Sequence, residues 1–213
     1  MRAKAILLCT GVSYRFLDAK DLARFTGCGV SYGSPSLSEK FEGKTIVVVG
    51  GANSAGQAAV HLSDCPQCTV KLVIRSTIDK SMSKYLIDKL KPRLNVEIME
   101  HTEIMEAKGG MRLESVIIKR GEGVEEISLD KMFILIGAVP KTRWLRGILD
   151  LDDHGFIVTG HKEGLSSMEA IPGVFAAGDV RSKSVKRVAS AVGEGARAVN
   201  DIHGYIAKLR GLA

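Results

Sequence analysis

Lys44-Thr-Ile-Val-Val-Val-Gly-Gly-Ala-Asn-Ser-Ala-Gly-Gln-Ala-Ala-Val-His-Leu-Ser63 is the stretch on which the fold turns. Thr45 to Val49 is a β-branched run of strand length, apolar enough to be buried on both faces. Gly50-Gly51 breaks it, and small residues suited to a closely packed helix follow. A second apolar run, Val70-Lys-Leu-Val-Ile-Arg75, and a helix over Met82 to Lys91, stopped by Pro92, complete a βαβα unit. A dinucleotide turn needs glycine where the chain reverses and where backbone approaches a pyrophosphate. It also needs a small residue where helix packs on strand. Gly50, Gly51, Ala52, Asn53, Ser54 and Ala55 fill these roles, with Ala52 at the second glycine position and Ala55 at the third small one. The plain alternative is an ordinary strand-to-helix turn; the flanking strand, helix and second strand favour the nucleotide.

The end of the second strand chooses the coenzyme. An acid there suits the ribose 2′-hydroxyl of NAD, whereas a cation suits a 2′-phosphate. Here Arg75 ends the strand, Lys80 follows, and Asp79 is the nearby acid, so NADP(H) is expected. A solvated strand-end charge is the bland alternative.

Outward from this unit, short strands are expected at Val96 to Met99, Leu113 to Lys119, Glu126 to Leu129 and Met132 to Ile136. Gly109-Gly110 and Gly121 to Gly123 would be the hairpin turns of a β-meander. Upstream, a buried strand at Ala5 to Leu8 breaks at Thr10-Gly11, and the loop Gly27-Cys-Gly-Val-Ser-Tyr-Gly-Ser-Pro-Ser36 follows. Downstream of Gly137 lie Asp153-His-Gly-Phe-Ile-Val158, Gly173-Val-Phe-Ala-Ala-Gly-Asp179 and a helix from about Gly193 to Leu209.

Composition narrows the function. The chain has 213 residues, 45% hydrophobic and 25% charged, which excludes intrinsic disorder. No apolar run reaches membrane-span length, and the N-terminal run is too short for a signal-peptide core, so a cytoplasmic protein is expected. The net charge of +6 comes from scattered basic residues with 5% aromatics, so no nucleic-acid partner is expected. The five histidines lack metal-ligand spacing.

Four motifs in order resemble the thioredoxin-reductase-like flavoproteins, a group of FAD- and NAD(P)-dependent pyridine nucleotide-disulfide oxidoreductases. They are Leu8-Cys-Thr-Gly11, Val47 to Gly56, Phe133-Ile-Leu-Ile-Gly-Ala-Val-Pro140 and Gly173 to Asp179. Asn53 to Ala59, Ser81-Met-Ser-Lys-Tyr-Leu86 and Val185-Lys-Arg-Val-Ala-Ser-Ala-Val-Gly-Glu-Gly195 look closest to a branch often fused to regulatory modules. The resemblance implies an α/β fold: a Rossmann-like NADPH-binding domain with a β-meander, residues 43–137, inserted in an FAD-binding domain made of 1–42 and 138–213. It implies FAD contacts at Thr10, Gly11, Gly178 and Asp179, with Gly178 N–H and the Asp179 carboxylate on the pyrophosphate and ribityl groups, and a cofactor contact at Gly137. Lys186 and Arg187 would stand where the family has a flavin-contacting Arg-Gln pair. A helix starting at Gly193 would aim its positive end at the reduced flavin.

Two departures qualify that picture. The FAD domain of the family opens with its own glycine turn, which this sequence lacks, so the FAD domain is expected to be incomplete, to expose apolar surface and to self-associate as a homo-oligomer. The family's redox Cys-x-x-Cys would follow Tyr32, where this chain has Gly33-Ser34-Pro35-Ser36. The leading expectation is an NADPH-dependent flavoprotein oxidoreductase with an unidentified electron acceptor; the alternative is a catalytically silent NADP-binding or sensory module. Cys65-Pro-Gln-Cys68 has redox spacing but lies at a helix-to-strand corner, and reads as two incidental thiols. Cys9 reads as strand packing, Cys28 as a lone thiol, His154 as a turn residue and Trp144 as an anchor at the connection between domains. Met82, Tyr85, Leu86 and Leu90 read as one buried helix face.

Overall fold

The computed structural model describes residues 3–36 and 39–211. The chain divides into two compact units, one of Met1–Ser13 with Ala138–Ala213, the other of Tyr14–Gly137. The first unit opens with β1 (Ile6–Leu8) and β2 (Val12–Tyr14, whose last residue belongs to the other unit).

The central unit holds β3 (Val30–Tyr32), β4 (Thr45–Val49), α1 (Asn53–Ser63), β5 (Thr69–Val73), α2 (Lys84–Leu90), β6 (Val96–Met99), β7 (Thr102–Lys108), β8 (Ser115–Arg120), β9 (Gly123–Ser128) and β10 (Lys131–Ile134). Five strands form a parallel sheet in the order β3-β10-β4-β5-β6. Successive side chains of a strand point to opposite faces. Ile46, Val48, Val70 and Leu72 therefore pack with Ala55, Ala59 and Leu62 of α1 and with Leu86 and Leu90 of α2. Val47, Val49, Val73 and Met132 pack on the other face with Ile104, Val116 and Ile118. Those last three residues come from the antiparallel sheet β7-β8-β9. A parallel sheet covered on both faces explains why β4 and β5 read as nearly continuous apolar runs.

Several expectations change here. The meander consists of β7, β8 and β9; Val96–Met99 and the Met132 run lie instead at the edge and interior of the parallel sheet. Residues 14–36 and 39–42 pack into the central unit rather than with the flanking one, because Leu22, Phe25 and Val30 are buried in its core and β3 pairs with β10. Helix α2 starts at Lys84, and its buried face is Leu86, Ile87 and Leu90, with Met82 packed just ahead of it; Tyr85 is exposed.

The first unit resumes with β11 (Ala138–Pro140), β12 (Glu169–Ile171), β13 (Val174–Ala176) and α3 (Val188–Leu209). β1 runs parallel to β13, with Leu8 opposite Ala176, and β12 lies antiparallel on the other side of β13. β2 pairs with β11. The apolar clusters are small: Leu145, Leu149, Ile157, Ala170, Ala176 and Val180 in one, Met168, Phe175, Ala177 and Ala198 in the other. Tyr205 of α3 packs edge-on to Phe175, with ring centroids 6.0 Å apart. Helix α3 begins five residues before the expected Gly193, and Val188, Val192 and Val199 are exposed along it. β1 is not buried: Ile6 and Cys9 are both exposed. Trp144 is exposed too, its indole N–H donating to the Lys141 carbonyl at 3.0 Å, so it does not anchor the connection.

Candidate functional site

In the central unit the chain runs from β4 through α1 to β5 and β6 on one side, and β10 returns on the other side of β4. The carboxyl ends of β4 and β10 thus flank the topological switch point, where doubly wound folds leave a crevice for nucleotides. Gly50 leaves β4 at φ +148°, and a Cβ there would stand 2.5 Å from the Leu135 carbonyl oxygen just beyond β10. Only glycine lets the two strand ends approach so closely. A Cβ on Gly51 would stand 3.0 Å from an Ile74 methyl. Ala52 precedes α1 in an extended conformation and no side chain caps the helix; an uncapped helix N-terminus of this kind is suited to an anion. Ser54 is exposed and Ala55 is buried against the sheet. Gly137 follows β10 at φ +96°.

Strand β5 ends at Val73, and Arg75 and Lys80 lie on the exposed loop beyond it. Neither cation forms a salt bridge among the described residues. Asn53 clasps this loop to the glycine turn: its Nδ2 donates to Ser83 Oγ at 2.9 Å and its Oδ1 accepts the Ser83 N–H at 2.7 Å. From the other side, Glu100 accepts the Ile78 N–H at 2.6 Å and His101 N–H donates to the Ser76 carbonyl at 3.2 Å. Sequence reasoning gave Asn53 only a place in the turn. Its partner lies thirty residues away, so no local signal could reveal the clasp.

The first unit gathers the other candidates. Thr10 and Gly11 follow β1, and Gly178 and Asp179 follow β13, so the paired strands bring both pairs to one edge. Gly178 takes φ +78°. Its N–H donates to Glu194 Oε2 at 2.8 Å. Glu194 also holds Arg181, at 2.6 Å through Oε1 and 3.1 Å through Oε2. Burial pushes the Glu194 carboxyl up, but the hydrogen bonds from Arg181 and Gly178 hold it net below the usual range. The Asp179 carboxylate accepts no hydrogen bond from described residues. Lys186 donates to the Arg181 carbonyl at 3.3 Å and lies 4.2 Å over the Phe156 ring. Partial burial lowers its ammonium pKa, against the pull of Asp179 and Glu194. Arg187 caps α3 and is exposed, which puts the helix's positive end beside it rather than at Gly193.

Cys65 and Cys68, at the corner between α1 and β5, are both free thiols. Cys68 is buried in the core and its thiol is pushed up to about 11, first by burial and then by Cys65. Among the described residues all four cysteines are free and no cluster fits a metal ion.

A parallel sheet with a glycine turn at its switch point is the architecture of the nucleotide-binding α/β folds. Residues 1–195 match the family model described as pyridine nucleotide-disulphide oxidoreductase, and the chain belongs to that family. It is 32% identical over 206 residues to a component of the alkyl hydroperoxide reductase of Pseudomonas putida, covering 93% of this chain and 38% of that one. It is 30% identical to the thioredoxin reductase of Listeria innocua, covering 98% of this chain and 65% of that one. The structure superposes on thioredoxin reductase from Giardia duodenalis with a TM-score of 0.78 and 28% identity, over 95% of this chain and 66% of that one. The Streptococcus pyogenes enzyme gives 0.76 at 28% identity, over 96% and 66% of the two chains. The chain therefore spans little more than a third of the Pseudomonas relative and about two-thirds of the others.

The described residues fit a phosphorylated nicotinamide dinucleotide: the Gly50 cradle excludes any side chain, and Arg75 and Lys80 are unpaired cations beside it. Toward a flavin they offer the Asp179 carboxylate, which accepts no hydrogen bond from the described residues.

Proposed function

We propose that this chain is the nucleotide-holding part of an NADPH-dependent flavoprotein oxidoreductase of thioredoxin-reductase type. The reading rests above all on Arg75, an unpaired cation held in register with the glycine turn by the Asn53–Ser83 clasp. The turn Gly50 to Ala55 binds the pyrophosphate on the N-terminus of α1, and Arg75 with Lys80 grips the 2′-phosphate of NADP(H). Thr10, Gly11, Asp179, Lys186 and Arg187 hold FAD, with Gly178 shaping the turn that carries Asp179. A flavin held by these residues would supply hydride acceptance from NADPH and onward electron transfer. The acceptor is not reduced through a dithiol of this chain, since Gly33-Ser34-Pro35-Ser36 stands where the family carries its Cys-x-x-Cys and Cys68 is buried as a neutral thiol. The protein works in the cytoplasm as a homo-oligomer, with neither nucleic acid nor membrane as partner; no helix among the described residues is long and apolar enough to cross a membrane.

One observation favours a second reading, a silent NADP-binding module: the flavin-side N–H of Gly178 is already taken by Glu194. Visible absorbance of the purified chain, after FAD and then NADPH are added without oxygen, separates the two. A protein-bound flavin band that bleaches with NADPH is the expected result. A chain that binds NADPH yet retains no flavin in excess FAD overturns the oxidoreductase reading in favour of the module.

A further inference from the structure

The 3₁₀ turn Gly178–Val180 is tied at both ends to one side chain of α3. Glu194 accepts from the Gly178 N–H where the turn begins and from the Arg181 guanidinium where it ends. The Arg181 N–H closes the turn on the Gly178 carbonyl at 2.9 Å, and Arg181 Nη1 reaches Thr159 Oγ1 at 3.4 Å. The ion pair is mostly buried, with side chains 18% and 14% exposed. A buried pair of this kind is weak evidence for stability; its attested use is to fix one geometry among several. What it fixes here is the direction of Asp179, which with Val180 lies between the two tied points. Because Glu194 neutralises Arg181, Asp179 keeps its charge unpaired within its own turn; Lys186 supplies the field from further along the chain.

We infer that Glu194 is a positioning residue for flavin: it acts through Asp179, holding the Gly178–Arg181 turn so that the Asp179 carboxylate is presented to a hydroxyl-bearing ligand. This rests on the flavin reading of the first unit proposed above. A group that acts only by aiming another loses its effect once the aimed group is gone, whereas a staple that merely stabilises α3 does not.

A double-mutant cycle decides between the two, read by quenching of FAD fluorescence as the full chain is titrated in. Asp179→Asn and Glu194→Gln are each expected to weaken FAD binding about tenfold, and the double variant to bind no worse than about the weaker single. Equal losses from Glu194→Gln with and without Asp179, or no loss at all, would overturn the inference while leaving flavin binding intact. Absence of FAD binding by the unaltered chain, with NADPH still bound, would instead remove the flavin reading on which it rests. If Glu194→Gln fails to fold by circular dichroism, Glu194→Asp gives the same cycle with the charge kept and the carboxylate drawn back by one methylene.

Discussion

The two units solve the same packing problem to different depths. In the central unit the parallel sheet is covered on both faces, and Ile46, Val47, Val48, Val70 and Leu72 are fully buried. In the first unit three short strands support two small clusters, and the long helix α3 buries only Ala198 completely while showing Val188, Val192 and Val199 to solvent. A sheet sealed on both sides forms a rigid frame for a turn as constrained as Gly50. The first unit holds its Gly178 turn by polar clamps instead, through Glu194, Arg181 and Lys186. Apolar burial sets the one site and charge sets the other.

The sharpest way to break this contrast is Gly50→Ala. The new Cβ would collide with the Leu135 carbonyl in a backbone conformation that L residues rarely adopt. It should weaken NADPH binding at least about 100-fold and lower the central unit's stability by about 3 kcal/mol, measured by isothermal titration and urea unfolding. Unaltered binding would mean that the turn relaxes and the frame is softer than its burial implies. Next, Leu72→Ala should cost the central unit about 3 kcal/mol, whereas Val192→Ala on α3 should cost the first unit about 0.5 kcal/mol or less. Similar losses from both would erase the difference in core depth.

Arg75→Ala should weaken NADPH binding by about 2 kcal/mol and leave NADH nearly unchanged, since only a charge-assisted contact to the extra phosphate is lost. A parallel loss for both coenzymes would count against a 2′-phosphate at this position. The smallest effect concerns Cys68, whose thiol stays protonated in the folded protein up to about pH 11. The unfolded chain releases that proton at lower pH, so above about pH 9 the folded state holds more protons and loses stability as pH rises. The central unit should lose about 1 to 2 kcal/mol between those values, a drop that Cys68→Ala abolishes. Alkylation at neutral pH should label Cys9 and Cys28, which are exposed, and spare Cys68.

The central unit was the more legible of the two, for a physical reason. A strand, a glycine break and a small-residue helix are local patterns, and Gly50 to Ala55 announces itself within a dozen residues. Sheet membership is not local. Met132 and Val96 head apolar runs that look like meander strands, and only pairing with β4, β3 and β5 shows that they belong to the parallel sheet. Strand β7 escaped notice because its alternation is interrupted between Ile104 and Glu106, where the register shifts. The early start of α3 was hidden by valines and glycines of poor helix propensity, which the amphipathic pattern overrides. Glu194 carried no signal, because both groups that it holds lie on a turn reached only through the fold.

The clasp between Asn53 and Ser83 has a consequence for how such a protein can change. It joins the glycine turn of residues 50–55 to the loop that bears residue 75, while Glu100 and His101 steady that loop from its far side. None of these bonds involves the side chain at position 75 itself. The mounting is thus separate from the part mounted on it. A lineage could exchange one coenzyme for its phosphorylated cousin by replacing a single side chain, leaving the bracket that holds it untouched.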